Sequence, residues 1–290
     1  MGTSTAYGGP GGGTPLVPSW LGSDAGGAPS APPGDAAPDG NAPAPVPVPP
    51  PNRPAMPRVA DPKRFTGART NFTRFANSGG SDRVSLGRAV SRYVSTASGG
   101  TRQAAQRMGA SRGAGARLLG FLSDAQARGA REALRTLNLE DLAGRQIDEI
   151  FIGLADYICP GAGTVDEGIA REAFIETIIE LATLGVTDLD ALTPDQMQTV
   201  FELYVTHAIE ARICNDIGTK AITIPADAQA ALRVQAQLRD FIRRGVSDAV
   251  TAARVTTPML TQESVQSFVD AVYESAFGIL QALGEAEVDQ

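Results

Sequence analysis

The chain has 290 residues, 42% hydrophobic and only 6% aromatic, with 20 prolines, 32 glycines, two cysteines and a formal net charge of -7. Two cysteines exclude a disulfide framework, and no apolar run approaches the roughly 18 residues that a bilayer crossing needs. The net charge conceals a division: residues 1–52 carry -3, residues 53–135 carry +12 and residues 136–290 carry -16. The first 62 residues hold sixteen of the prolines, so about 230 residues remain to build a core. Sparse aromatics suit helices better than a β-sandwich. The start of the sequence has neither a basic n-region nor an apolar h-region, so a cytoplasmic location is expected.

Residues 1–21, MGTSTAYGGPGGGTPLVPSWL, cannot fold alone, because six of residues 2–13 are glycine and glycine loses the most entropy on ordering. Tyr7, Leu16, Val17, Trp20 and Leu21 are large apolar anchors along this run, and Trp20 is the only tryptophan. A flexible segment that carries anchors reads as a partner-recognition tail that orders on binding. Methionine before a small residue is normally removed, which makes Gly2 the first residue of the mature chain. Its α-amine has an ordinary pKa of about 7.7–8.0, against about 10.4 for lysine, and no side chain crowds it. Gly2 is therefore the best acylation acceptor in the sequence. The myristoylation pattern fails because Ala6 stands where serine or threonine is required. The Gly8 to Gly13 interval is not a P-loop, since Thr14 replaces the lysine and no apolar strand precedes it.

Gly2, Thr3, Ser4, then Tyr7, Gly8, Gly9, Pro10, followed by Gly13, Thr14, Pro15, Leu16, Val17, Pro18, Ser19 and Trp20, resemble the opening of the QatB family. These are the B components of four-gene Qat anti-phage defence systems in bacteria. A looser likeness runs from Phe65 to Leu122, through FTGART, SRYV and MGASRGAGARLLGFL, and says little about residues 136–290. The family sits beside an ATPase, a QueC-like relative of the enzyme that makes 7-cyano-7-deazaguanine, and a TatD-like nuclease. The resemblance implies that the QueC-like partner joins a 7-deazaguanine carboxylate, as an amide, to the amine of Gly2. It implies Thr3, Ser4, Tyr7, Gly8, Gly9, Pro10, Leu16 and Trp20 as the residues that partner recognises, with the ATPase and nuclease as further candidate partners.

Residues 22–62 read as a proline-rich linker. Its stretch from Pro29 to Pro62 favours polyproline II and would reach roughly 100 Å at about 3.1 Å per residue. Residues 63–135 form a basic, partly helical module. Phe65, Phe72 and Phe75 lie among Lys63, Arg64, Arg69 and Arg74, an arrangement that suits bases stacked between cations. Val84, Leu86, Val90, Tyr93 and Val94 predict an amphipathic helix from about Asp82 to Ala97. The stretch 63–117 has two readings: contact with nucleic-acid phosphates, or burial of its charge against the acidic remainder or an acidic partner.

Residues 136–290 are expected to be an acidic α-helical bundle. Leu118 to Leu137 outline one helix, and Ile147 to Ile158 continue the pattern up to Pro160. Thr164 and Glu167 form a capping-box sequence that opens a helix stopped at Gly185, and Thr193-Pro194-Asp195-Gln196 repeats the device. Ile222 to Ile224 are too few for a sheet, and long helices follow over Ala226 to Arg254 and Glu263 to Leu283. The predicted fold is all-α, a helical bundle behind a long Gly/Pro-rich tail.

His207 is the only histidine, near Glu202, Glu210 and Cys214, but no HExxH or CxxC spacing supports a metal. Glu172, Glu176 and Glu180 share a face that reads as solvated, and Asp156 and Tyr157 adjoin the Pro160 turn. No nucleophile and base pair, cofactor fingerprint or phosphate cradle is evident. The sequence therefore predicts a component without catalytic activity, cofactor or membrane contact, whose Gly2 accepts a conjugated group. A nucleic-acid-binding or scaffolding subunit is the alternative.

Overall fold

A computed structural model describes residues 63–287 apart from 162, 184, 186, 219–226, 258–260 and 262. The expected strandless fragment Ile222 to Ile224 falls outside the described residues. Ten α-helices follow one another, and no strand occurs among the described residues.

Two helices, α1 (Thr66–Asn77) and α2 (Arg83–Arg92), form a hairpin. Asp82 caps α2 by accepting the Ser85 amide at 2.9 Å, and a π turn, Tyr93–Ala97, prolongs the helix over the predicted span. Helix α1 is not among the elements that the sequence predicts. Phe72 and Phe75 are 4% and 0% exposed, so α1 is a core helix and those rings cannot stack on nucleotide bases. Helix α3 (Thr101–Gln106) is followed by α4 (Gly109–Arg128). The single helix expected over Leu118 to Leu137 breaks at Gly129, whose φ of 86° suits glycine, and resumes as α5 (Ala130–Arg135).

A 3-10 turn at Glu140–Leu142 leads to α6 (Ile147–Ile158) and α7 (Val165–Thr183), a second hairpin. The Thr164 capping box forms: Glu167 Oε2 accepts the Thr164 amide at 3.0 Å, and the Glu167 amide donates to Thr164 Oγ1 at 3.3 Å. The same reciprocal pair between Thr193 and Gln196 opens α8 (Pro194–Ile217). Helices α9 (Ala228–Thr256) and α10 (Val265–Ala286) complete the body within two or three residues of expectation.

Helix α8 is the axis. It buries residues on every side, as expected for a helix that neighbours enclose, and packs on α4, α7 and α9. A chain of rings links three helices: Phe151 on α6 stacks on Phe174 of α7 at 5.8 Å, and Phe174 meets Tyr204 of α8 edge-on at 6.5 Å. The Tyr204 hydroxyl then donates to the Ser111 carbonyl of α4 at 3.1 Å. Helix α10 lies across α2, α3, α4 and α9, so helices from the basic and the acidic stretches share one hydrophobic core. Helices α2 and α10 touch backbone to backbone. A Cβ on Gly87 would stand 2.9 Å from the Gly284 carbonyl, and one on Gly284 would stand closer still to that of Gly87.

Candidate functional site

Gly2, Thr3, Ser4, Tyr7, Gly8, Gly9, Pro10, Leu16 and Trp20 lie outside the described residues. What the body shows is how its own charged and titratable groups are used.

His207 is 3% exposed on α8. Its Nε2 lies 2.9 Å from Glu180 Oε2, and a carboxylate only accepts, so Nε2 carries the proton. Burial, aided by the Arg239 charge, pulls the imidazole pKa below its ordinary value, against the opposing pull of Glu180 and Glu210. Glu210, itself 6% exposed, receives Arg239 Nε at 2.7 Å, and Arg243 donates to Glu180 at 3.1 Å. Two carboxylates, two guanidinium groups and a neutral ring thus tie α7, α8 and α9 together. Glu180 therefore belongs to a partly buried network rather than to a solvated row with Glu172 and Glu176. These bonds join α7 to α8 and both to α9. Cys214 is exposed, Glu202 accepts from Gln198 at 2.6 Å, and no histidine, cysteine and carboxylate group among the described residues is disposed to hold a metal ion.

A second network explains much of the basic stretch. Arg212 on α8 bridges Asp166 at 3.0 Å and Asp216 at 3.3 Å, and the Tyr93 hydroxyl donates to Asp216 at 2.9 Å. Asp166 also accepts the Ala110 amide at 2.9 Å, so α7 caps the start of α4. Asp190 does the same for α5 through the Ala130 amide at 2.7 Å. Arg69 donates to the carbonyls of Ile217 and Asp216, Arg117 to that of Ile158, and Arg112 to Asp270. These arginines neutralise the carbonyl ends of α8 and α6 and an acid of α10. For them the intramolecular reading of the basic stretch is the correct one. Arg74, Arg83, Arg88, Arg92 and Arg102 remain exposed. Phe65 is half-buried against Tyr93, its ring flanked by Arg64 and Arg69.

Among the cavities, a groove of about 210 Å³ between α4, α8, α9 and α10 is lined by Leu119, Met197, Phe201, Val250 and Phe268, with Gln198 and Arg254 hydrogen-bonded at its rim. Ser123, Gln126 and Thr257 also line it. Tyr157 borders a shallower cleft with Arg117 and Thr136, whereas Asp156 pairs with Arg171 at 2.9 Å. No helix of the described residues is long and apolar enough to cross a membrane.

Comparison with known families finds a match to the model of Qat anti-phage system associated protein QatB over residues 99–280. The chain belongs to the QatB family. No curated protein and no solved structure matches it. The part of this QatB-family chain that matches begins just before α3 and runs through most of α10. It includes residues 136–280, where the opening run MGTSTAYGGP and the FTGART segment offered no guidance. This QatB-family body is thus a helical unit associated with the Qat anti-phage system, in which Arg69 and Arg117 serve the carbonyl ends of its own helices.

Proposed function

We propose that this component of the Qat system is a protein substrate rather than a catalyst, and that the Gly2 α-amine, exposed once Met1 is removed, accepts a 7-deazaguanine-type group from a QueC-like partner enzyme. The unprotonated nitrogen attacks the activated carboxyl carbon, an amide forms, and the activating group departs with the carboxyl oxygen. Thr3, Ser4, Tyr7, Gly8, Gly9, Pro10, Leu16 and Trp20 are the residues the enzyme reads. The proline-rich linker lets the tail enter an active site while the body stays docked, and the ATPase and TatD-like nuclease of the same system are further partners. The observation that carries the reading is an uncrowded amine at the head of a glycine-rich run that resembles the family's opening. Intact mass spectrometry of the chain co-produced with the QueC-like enzyme tests it. The expected result is a mass above that of the Met-processed chain, lost in Gly2→Pro. An unchanged mass, or a gain that persists in Gly2→Pro, overturns it.

A nucleic-acid-binding or scaffolding role is the second reading, supported by the exposure of Arg83, Arg88 and Arg92 along α2. It predicts binding to DNA or RNA that weakens steeply with salt and with replacement of these three arginines by glutamine. No binding at low salt removes it.

A further inference from the structure

Most large apolar side chains exposed on this body stand singly, as Val165, Leu232 and Val255 do, which is ordinary for a protein surface. The α6–α7 hairpin is different. Asp156 Oδ1 meets Arg171 Nη1 at 2.9 Å, in keeping with the antiparallel register that the buried Phe151 and Phe174 pair sets. One turn along from Asp156 stands Ile152, and one and two turns along from Arg171 stand Ile175 and Ile179. The register sets Ile152 opposite Ile175, with Ile179 the next step of the same seam. They are 63%, 46% and 54% exposed. Leaving three isoleucines in water on one seam forgoes burial that a helix pair achieves elsewhere in the molecule.

The seam has an acidic frame. Glu172 and Glu176 flank it on the α7 side and Asp148 on the α6 side, whereas Glu149 is paired with Arg145 at 3.1 Å. Of the eight acids in residues 147–183, Glu149, Asp156, Asp166 and Glu180 pair with Arg145, Arg171, Arg212 and Arg243 and Glu167 bonds Thr164, which leaves Asp148, Glu172 and Glu176 to set the charge beside the isoleucines. A second copy would set these charges against themselves, and an anionic membrane or a nucleic acid would be repelled. A partner that buries the isoleucines must bring cations at its rim.

We propose that the α6–α7 seam is a docking site for a basic amphipathic helix of a partner protein, whose apolar residues at i, i+3, i+4 and i+7 cover Ile152, Ile175 and Ile179 while its lysines or arginines meet Glu172, Glu176 and Asp148. The helix lies in the groove between α6 and α7 as a third strand of their packing. This site is independent of the Gly2 chemistry.

The test uses the full chain and a fluorescein-labelled peptide of about 18 residues, about five helical turns, with leucines on one face and lysines on the other. A counterpart carries glutamate for lysine. The lysine peptide is expected to bind and the glutamate peptide to fail. Ile175→Ser with Ile179→Ser should weaken binding about tenfold or more, and Glu172→Gln with Glu176→Gln should flatten its salt dependence. Ile175, Ile179 and Glu172 are exposed and Glu176 is half-buried, so circular dichroism should be unchanged. Hydrogen exchange on the unaltered chain should show peptide-dependent protection at residues 148–156 and 171–183. Equal binding by the serine variant, equal binding of the glutamate peptide, or protection confined elsewhere overturns the proposal. So does sedimentation that finds a dimer for the parent and a monomer for the serine variant, which would give the seam to a second copy.

Discussion

Arg69 Nε donates to the Ile217 carbonyl at 2.8 Å, joining the first helix of the body to the end of the eighth across 148 residues. The contact neutralises carbonyls that a helix cannot satisfy within itself, and places a cation at the negative end of α8. Arg69→Met removes both hydrogen bonds and the guanidinium that lies over the Phe65 ring. Urea unfolding should show a loss of about 1–3 kcal/mol, since the bonds are partly buried and charge-assisted. An unchanged midpoint would mean that water caps α8 as well as Arg69 does.

The backbone contact of Gly87 with Gly284 leaves no room for a methyl group. Gly284→Ala should force α2 and α10 apart and cost about 1–3 kcal/mol, although alanine is the better helix former by about 1 kcal/mol. A rise in melting temperature would show that the helices separate without penalty.

Phe75 is fully buried on α1. Phe75→Ala should cost about 3–5 kcal/mol in chemical denaturation, the range for emptying a core aromatic site. A change under about 1 kcal/mol would mean that α1 is not part of the cooperative unit.

His207 sets a direction for pH. Its pKa in the folded state is held below the ordinary value of about 6.5, so the unfolded chain binds the extra proton more readily. This contribution is complete above about pH 6.5 and is lost as pH falls toward the folded-state value. Stability should therefore drop on acidification through this window, and the drop should be shallower in His207→Gln. Parallel curves for parent and variant would place the pH dependence in other groups.

The sequence made those features legible that local chemistry decides. Thr164, Thr193 and Asp82 announce helix starts because a side-chain oxygen three residues before an orphan amide is a local matter. Helix α1 was hidden: it has no side-chain cap, and Phe72 and Phe75 among arginines look the same whether the rings face a core or a nucleotide. The break at Gly129 passed unnoticed because apolar spacing continues across it. The exposure of Ile175 and Ile179 is not legible in the sequence, since periodicity marks an apolar stripe but cannot say which neighbour covers it. Pairings such as Arg69 with Ile217 or His207 with Glu180 join residues from different helices, and only the packing of the helices reveals them.

The laying of α10 across α2 also bears on how the protein is made. A ribosome delivers α1 and α2 long before residues 265–286, so their apolar faces emerge without the surface that finally covers them. Until α10 has emerged, the face of α2 around Gly87 lacks the helix that finally covers it.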